Sequence, residues 1–179
     1  MQEVLTGIPK GFPAPILVVQ HMPKGFTKSL AKRIDQLTSI HVKEAEHGEP
    51  LQNGVAYIAP GDLHMGVEAT YDHLKISLNR GEQMNGHRPS VDYLYQSLAK
   101  VKQYKTVSVI MTGMGADGRE GLIELKRQCP ETYCLAESEE TCVVYGMPKA
   151  VIKAKLANEV APLDDINHRI VQVILGRGN

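Results

Sequence analysis

The chain has 179 residues, 42% of them hydrophobic, which is enough apolar surface for one core and a length that favours one domain. Twenty lysines and arginines balance twenty aspartates and glutamates, so no net field favours a nucleic-acid backbone or an anionic membrane surface. No apolar run approaches the roughly eighteen residues needed to span a bilayer, and residues 1–14 carry no basic segment followed by an apolar stretch; this argues against direct membrane insertion and for a cytoplasmic protein.

Ile16 to Val19 form a short apolar run ending in Gln20 and His21, the pattern of a strand buried on both faces of a parallel sheet, its last residues facing a crevice. After Pro23 and Gly25, the residues Leu30, Ala31, Ile34 and Leu37 recur at helical spacing over 27–37, with Thr27 as candidate N-cap. Strands are expected at 41–45 and 55–59, the second closed by Pro60, Gly61 and Asp62. Residues 64–69 and 73–78 flank Thr70, Tyr71 and Asp72, which predicts an antiparallel hairpin.

A polar loop over 79–89 delivers His87 and Arg88, and Ser90 then caps a helix to about Val101 with Val91, Leu94, Tyr95 and Leu98 on its core face. The valine- and isoleucine-rich strand at 106–112 runs into the loop Gly113, Met114, Gly115, Ala116, Asp117, Gly118. A helix over 119–127, a strand over 132–137, a helix over 147–154 and a last helix over 164–175 follow. Strands alternating with helices predict an α/β, doubly wound, mostly parallel sheet flanked by helices, with the one antiparallel hairpin inserted. Ligands bind such sheets at the carboxyl ends of the strands, and both His21 and the 113–118 loop fall there.

Taken singly, these residues leave several readings open. The GMGADG loop can be a structural turn, a phosphate cradle of GxGxxG spacing, or an oxyanion site whose Asp117 orients a histidine base. No acidic residue at a second strand end supports the dinucleotide reading. A strand-end histidine is more often hydrogen-bonded than catalytic, yet His21 and Asp117 on one sheet edge supply two members of a nucleophile, base and orienter set. His87 and Arg88 add a donor or a cation near that edge, or are only a solvated pair. Seven histidines raise the question of a metal, but none pair at HxH or HxxxH spacing, so neither metal nor cofactor is expected. Cys129, Cys134 and Cys142, odd in number and without CxxC spacing, are expected to be reduced.

Five blocks in order carry a resemblance: VVQHMPKGFT at 18–27, YIAPGDLHM at 57–65, HRPSVDYL at 87–94, MTGMGADG at 111–118 and CVVYGMPKA at 142–150. Together they resemble the chemotaxis-receptor methylesterases of the CheB type, over nearly the whole chain. The resemblance implies a serine, histidine and aspartate triad that hydrolyses glutamyl methyl esters on methyl-accepting receptor helices and deamidates certain glutamines there. It implies His21 as base, Asp117 as orienting acid, the Met114 amide as an oxyanion donor and His87 as a neighbour of the site.

In that family the nucleophile stands in a glycine-flanked strand-to-helix turn some two dozen residues before the matching histidine, and twenty residues precede His21 here. The first strand, that turn and its serine are therefore expected upstream of residue 1, with Met1 to Thr6 the end of the following helix. Ser29, Ser90 and Ser97 lie in no glycine-flanked elbow and are poor replacements. The resemblance also implies a receiver domain in cis in regulated members, and the rival reading of this chain is a receptor-binding fragment without turnover.

Overall fold

The computed structural model describes residues 1–176. In chain order the elements are α1 (Gln2–Thr6), β1 (Ile16–Val18), α2 (Thr27–Asp35), β2 (His41–Glu44), β3 (Val55–Ile58), β4 (His64–Ala69), β5 (Leu74–Asn79) and α3 (Val91–Leu98). They continue as β6 (Val107–Ile110), α4 (Arg119–Gln128), β7 (Tyr133–Glu137), α5 (Met147–Lys153), β8 (Glu159–Ala161) and α6 (Leu163–Ile174). Two parallel three-stranded sheets, β1-β3-β2 and β6-β7-β8, lie between layers of helices, and β4-β5 form the antiparallel pair.

Alternation along the strands places the layers. In the β3 strand and the residue after it, Ala56 and Ile58 face one way, onto Ile8, Phe12 and Ile34, while Tyr57 and Ala59 face Met65, Ile76 and Leu94. In β7, Cys134 and Ala136 pack with Tyr95, Leu122, Leu125 and Val151, while Leu135 packs on the other side with Val4 and Ile166. Thus α1 and α6 cover one side of both sheets, and α3 with the hairpin and α4 with α5 cover the other. Val19 touches both clusters on that second side and bridges the sheets.

Several local expectations change. β1 is half-buried rather than enclosed, because it pairs with β3 alone; β6 likewise pairs only with β7 among the described residues. Thr27 does not cap α2: the cap position is Phe26, and the buried Thr27 hydroxyl donates to Glu44 Oε1 at 2.5 Å while its oxygen accepts from the Gly61 amide at 3.1 Å, which turns it away from the helix amides. α2 stops at Asp35, whose carboxylate turns to the start of β2 and accepts from the Val42 amide at 2.7 Å, leaving Leu37 half exposed. α3 ends at Leu98, short of Val101, and the three-residue β8 is too brief to show a period in sequence.

Candidate active site

The chain leaves β1 at Val18, and a tight turn in which the Met22 amide donates to Gln20 carbonyl at 2.8 Å presents His21 at the carboxyl edge of its sheet. Asp117 comes from the loop joining β6 to α4. Positive φ angles at Gly115 (75°) and Gly118 (97°), where a side chain would be strained, fold that loop back beneath the start of α3.

There the Asp117 carboxylate is fully enclosed and accepts hydrogen bonds on both oxygens. Oδ1 takes the Ser90 hydroxyl at 2.7 Å, the Asp92 amide at 3.1 Å and the Asn85 side-chain amide at 3.1 Å; Oδ2 takes the Val91 amide at 2.8 Å and His21 Nε2 at 2.7 Å. Val91 and Asp92 open α3, so the carboxylate occupies the electropositive end of a helix whose own cap, Ser90, also accepts from the Tyr93 amide. Burial pushes the carboxyl toward its neutral form. The donors, led by His21 and Ser90, outweigh it and hold the group well below the usual carboxylate range, as an anion.

The charge fixes His21. Its Nε2–H donates to Asp117, which leaves Nδ1 as the basic nitrogen, free of any hydrogen bond to the described residues. The His87 ring stacks on His21 with centroids 3.8 Å apart and planes within 2°. Burial lowers the His87 pKa and the His21 ring lowers it further, while Asp117 pulls it up. Two stacked imidazoles resist carrying two protons, so the pair favours a neutral ring at His87.

The remaining candidates divide. Met114 is exposed on the same loop as Asp117, and its amide donates to no described residue. That loop is clamped from behind: the Gly113 amide donates to Val144 carbonyl at 3.0 Å and the Met147 amide to Gly113 carbonyl at 2.9 Å. Arg88 turns away from His21 and binds Asp62 through Nε and Nη2 and the Gly81 carbonyl through Nη1. His64 is an interior residue whose Nε2 donates to Glu82 carbonyl and whose ring stacks on Tyr93. Ser90, Asn85 and Asp92 were not singled out as site residues. Asp92, buried, accepts from the Gly121 amide at 2.6 Å and from Asn85 at 2.6 Å, tying α3 to α4 beneath Asp117.

The model of the CheB methylesterase family matches residues 1–170. The chain belongs to the CheB methylesterase family. It is 52% identical over 172 residues to a protein of Halalkalibacterium halodurans named protein-glutamate methylesterase/protein-glutamine glutaminase, covering 96% of this chain and 49% of that protein. A Bacillus subtilis protein of the same name is 45% identical over 174 residues, with 97% of this chain and 48% of that protein covered. The crystal structure of the Thermotoga maritima CheB methylesterase catalytic domain superposes with a TM-score of 0.92 at 44% identity, over 96% of this chain and 90% of that one. The chain spans about half the length of these curated relatives.

Proposed function

We propose that this CheB-family chain carries the base and orienting acid of an esterase that hydrolyses glutamyl methyl esters on chemotaxis-receptor helices and deamidates glutamines there. The observation that carries the reading is the 2.7 Å contact between His21 and a buried, anionic Asp117. It is supported by the activity named for the relatives at 52% and 45% identity.

In this mechanism His21 Nδ1 takes the proton from an attacking serine hydroxyl as it adds to the ester carbonyl. Asp117 stabilises the resulting imidazolium without itself becoming protonated. The free Met114 amide receives the carbonyl oxygen as it becomes negative. Methanol leaves with the proton from His21, and a water activated by the same nitrogen releases the glutamate; from glutamine the leaving group is ammonia. His87 keeps the His21 ring in plane.

We place the serine outside these residues. Among the described residues no hydroxyl or thiol bonds to His21, and Ser90, the nearest serine to the acid, spends its proton on Asp117 Oδ1. The same observation favours a second reading for the chain by itself, receptor binding without turnover. The substrate helices and a receiver domain in cis are the proposed partners, the latter supported by relatives twice as long. The proposed compartment is the cytoplasm; no described helix is long and apolar enough to cross a membrane.

Methanol release from methylated receptor tests this, with the full-length gene product beside the 179-residue chain. We expect turnover from the long form, none from the short, and receptor binding by both. Equal rates would put the nucleophile inside this chain and overturn the assignment.

A further inference from the structure

We infer that the basic cavity beside His21 is a carboxylate-binding subsite, which grips an acidic side chain one to two helical turns from the glutamyl ester on the same receptor helix. The inference rests on the function proposed above for its ligand, and on the following geometry for its existence.

A cavity of about 390 Å³ opens between the turn after β1, the start of α2 and the end of β3, lined by Lys24, Lys28, Glu44, Gly61, Leu63 and Arg80. Three cations meet one carboxylate there. The Lys24 and Lys28 side chains make no hydrogen bond or ion pair with a described residue, Lys24 lying in the field of Asp62 and Lys28 in that of Glu46. Arg80 has only a 3.8 Å approach to Asp62 Oδ2, and Asp62 is already held by Arg88 through two bonds to Oδ1. Glu44 accepts the Thr27 hydroxyl. The cavity therefore offers unpaired donors and an excess of positive charge, which the first turn of α2 reinforces with its free amides.

Solvated lysines are common, but this floor is built. Gly61 approaches the turn after His21 so closely that a Cβ would stand 2.5 Å from the Lys24 amide nitrogen, and its own amide donates to Thr27 Oγ1 at 3.1 Å. The loop that supplies Arg80 also supplies His87, stacked on His21, and Arg88 ties that loop to Asp62. Cavity and base are thus joined from both sides.

Distance then selects the ligand. Lys24 stands three positions after His21, so their Cα atoms lie within about 11 Å. A helix rises about 6 Å over four residues and about 10.5 Å over seven. With the ester at His21, a carboxylate one or two turns along the same helix comes within reach of Lys24 and of the cavity that it lines.

The test uses the full-length protein and its Lys24→Gln, Lys28→Gln, Arg80→Gln triple variant. The probes are a glutamate-rich helical peptide without esters and its glutamine counterpart. Wild type should bind the acidic peptide about tenfold more tightly, a preference that shrinks in high salt, and the variant should lose it. On methylated receptor the variant should show KM raised about tenfold with kcat within twofold. Equal affinity of wild type for the two peptides, or an undiminished preference in the variant, overturns the subsite whatever happens to esters. A preference that the variant loses, with no methanol released by wild type, leaves the subsite standing and removes the esterase reading instead.

Discussion

Replacing Asp117 with asparagine keeps its size, removes its charge and turns one acceptor into a donor. If the amide nitrogen takes the Oδ2 position, it faces the Val91 amide and His21 Nε2, both donors, which lie 2.8 and 2.7 Å from that oxygen. If it takes the Oδ1 position, it faces the Asp92 amide and the Asn85 amide instead, and the Ser90 hydroxyl must turn around. Either way a buried donor loses its partner, at about 1–3 kcal/mol. The loss of a buried anion at a helix start adds up to about 2 kcal/mol. Together these predict a loss on the order of 3 kcal/mol at pH 7, read by urea denaturation with circular dichroism.

The pH dependence separates this from generic damage. The folded carboxyl titrates well below the value of about 3.9 for an exposed aspartate, so between the two values the unfolded chain binds the proton and the folded chain does not. The stabilisation is complete above about pH 5 and disappears as pH falls through the folded-state value. The gap between wild type and Asp117→Asn should therefore stay level from pH 8 to 5 and narrow below 4. A gap that persists undiminished at pH 3, or one under 1 kcal/mol at pH 7, would refute the buried anion. On the mechanism proposed above, the same substitution in a form extended upstream through the serine should cost on the order of 10⁴ in kcat, the loss seen when a serine protease loses its orienting aspartate.

Two further outcomes follow from neighbouring geometry. His87 should titrate below the 6.5 of a free imidazole when followed by NMR, because burial and the stacked His21 disfavour its proton. Its folded value lies below its unfolded one, so stability should fall as pH drops from about 6.5 through the folded value; a midpoint at or above 6.5 would show a solvated or acid-paired ring. Gly121→Ala places a Cβ 2.6 Å from the Asp92 carbonyl oxygen and 2.7 Å from its Cα, so α3 and α4 must part. We expect a loss of about 1–3 kcal/mol in urea denaturation, and an unchanged midpoint would mean the helices slide freely.

The strand-end position of His21 and the loop position of Asp117 were legible because each follows a short apolar run; that β1 and β6 lie in two separate parallel sheets, joined here by the His21–Asp117 contact, was not. Periodicity also located the hairpin and the core face of α3, since Val91, Leu94 and Tyr95 recur at helical spacing and are buried. The donors around Asp117 were not legible. Ser90 looked complete as a helix cap, and nothing local says that its hydroxyl proton goes to a residue 27 positions away. Asp92 stands in the first turn of its helix with no mark in the sequence, yet it is buried against α4. The choice between the two readings of Arg88 was open for the same reason: its partner, Asp62, is 26 residues distant. Long-range polar pairs leave no period in a sequence.

The acid of this site is held by a helix terminus rather than by its own strand, and that has a mechanical consequence. Asn85 bonds both Asp92 and Asp117, and Asp92 bonds the first turn of α4, so the position of the carboxylate depends on how α3 and α4 seat on each other. A shift of α3 carries the Val91 and Asp92 amides with it, and with them two of the bonds that set the Asp117 carboxylate against His21. The loop over 79–89 touches this pair at two points, through His87 stacked on His21 and through Asn85 bound to Asp117. The orientation of the His21 ring is thereby coupled to how α3 and α4 seat on each other.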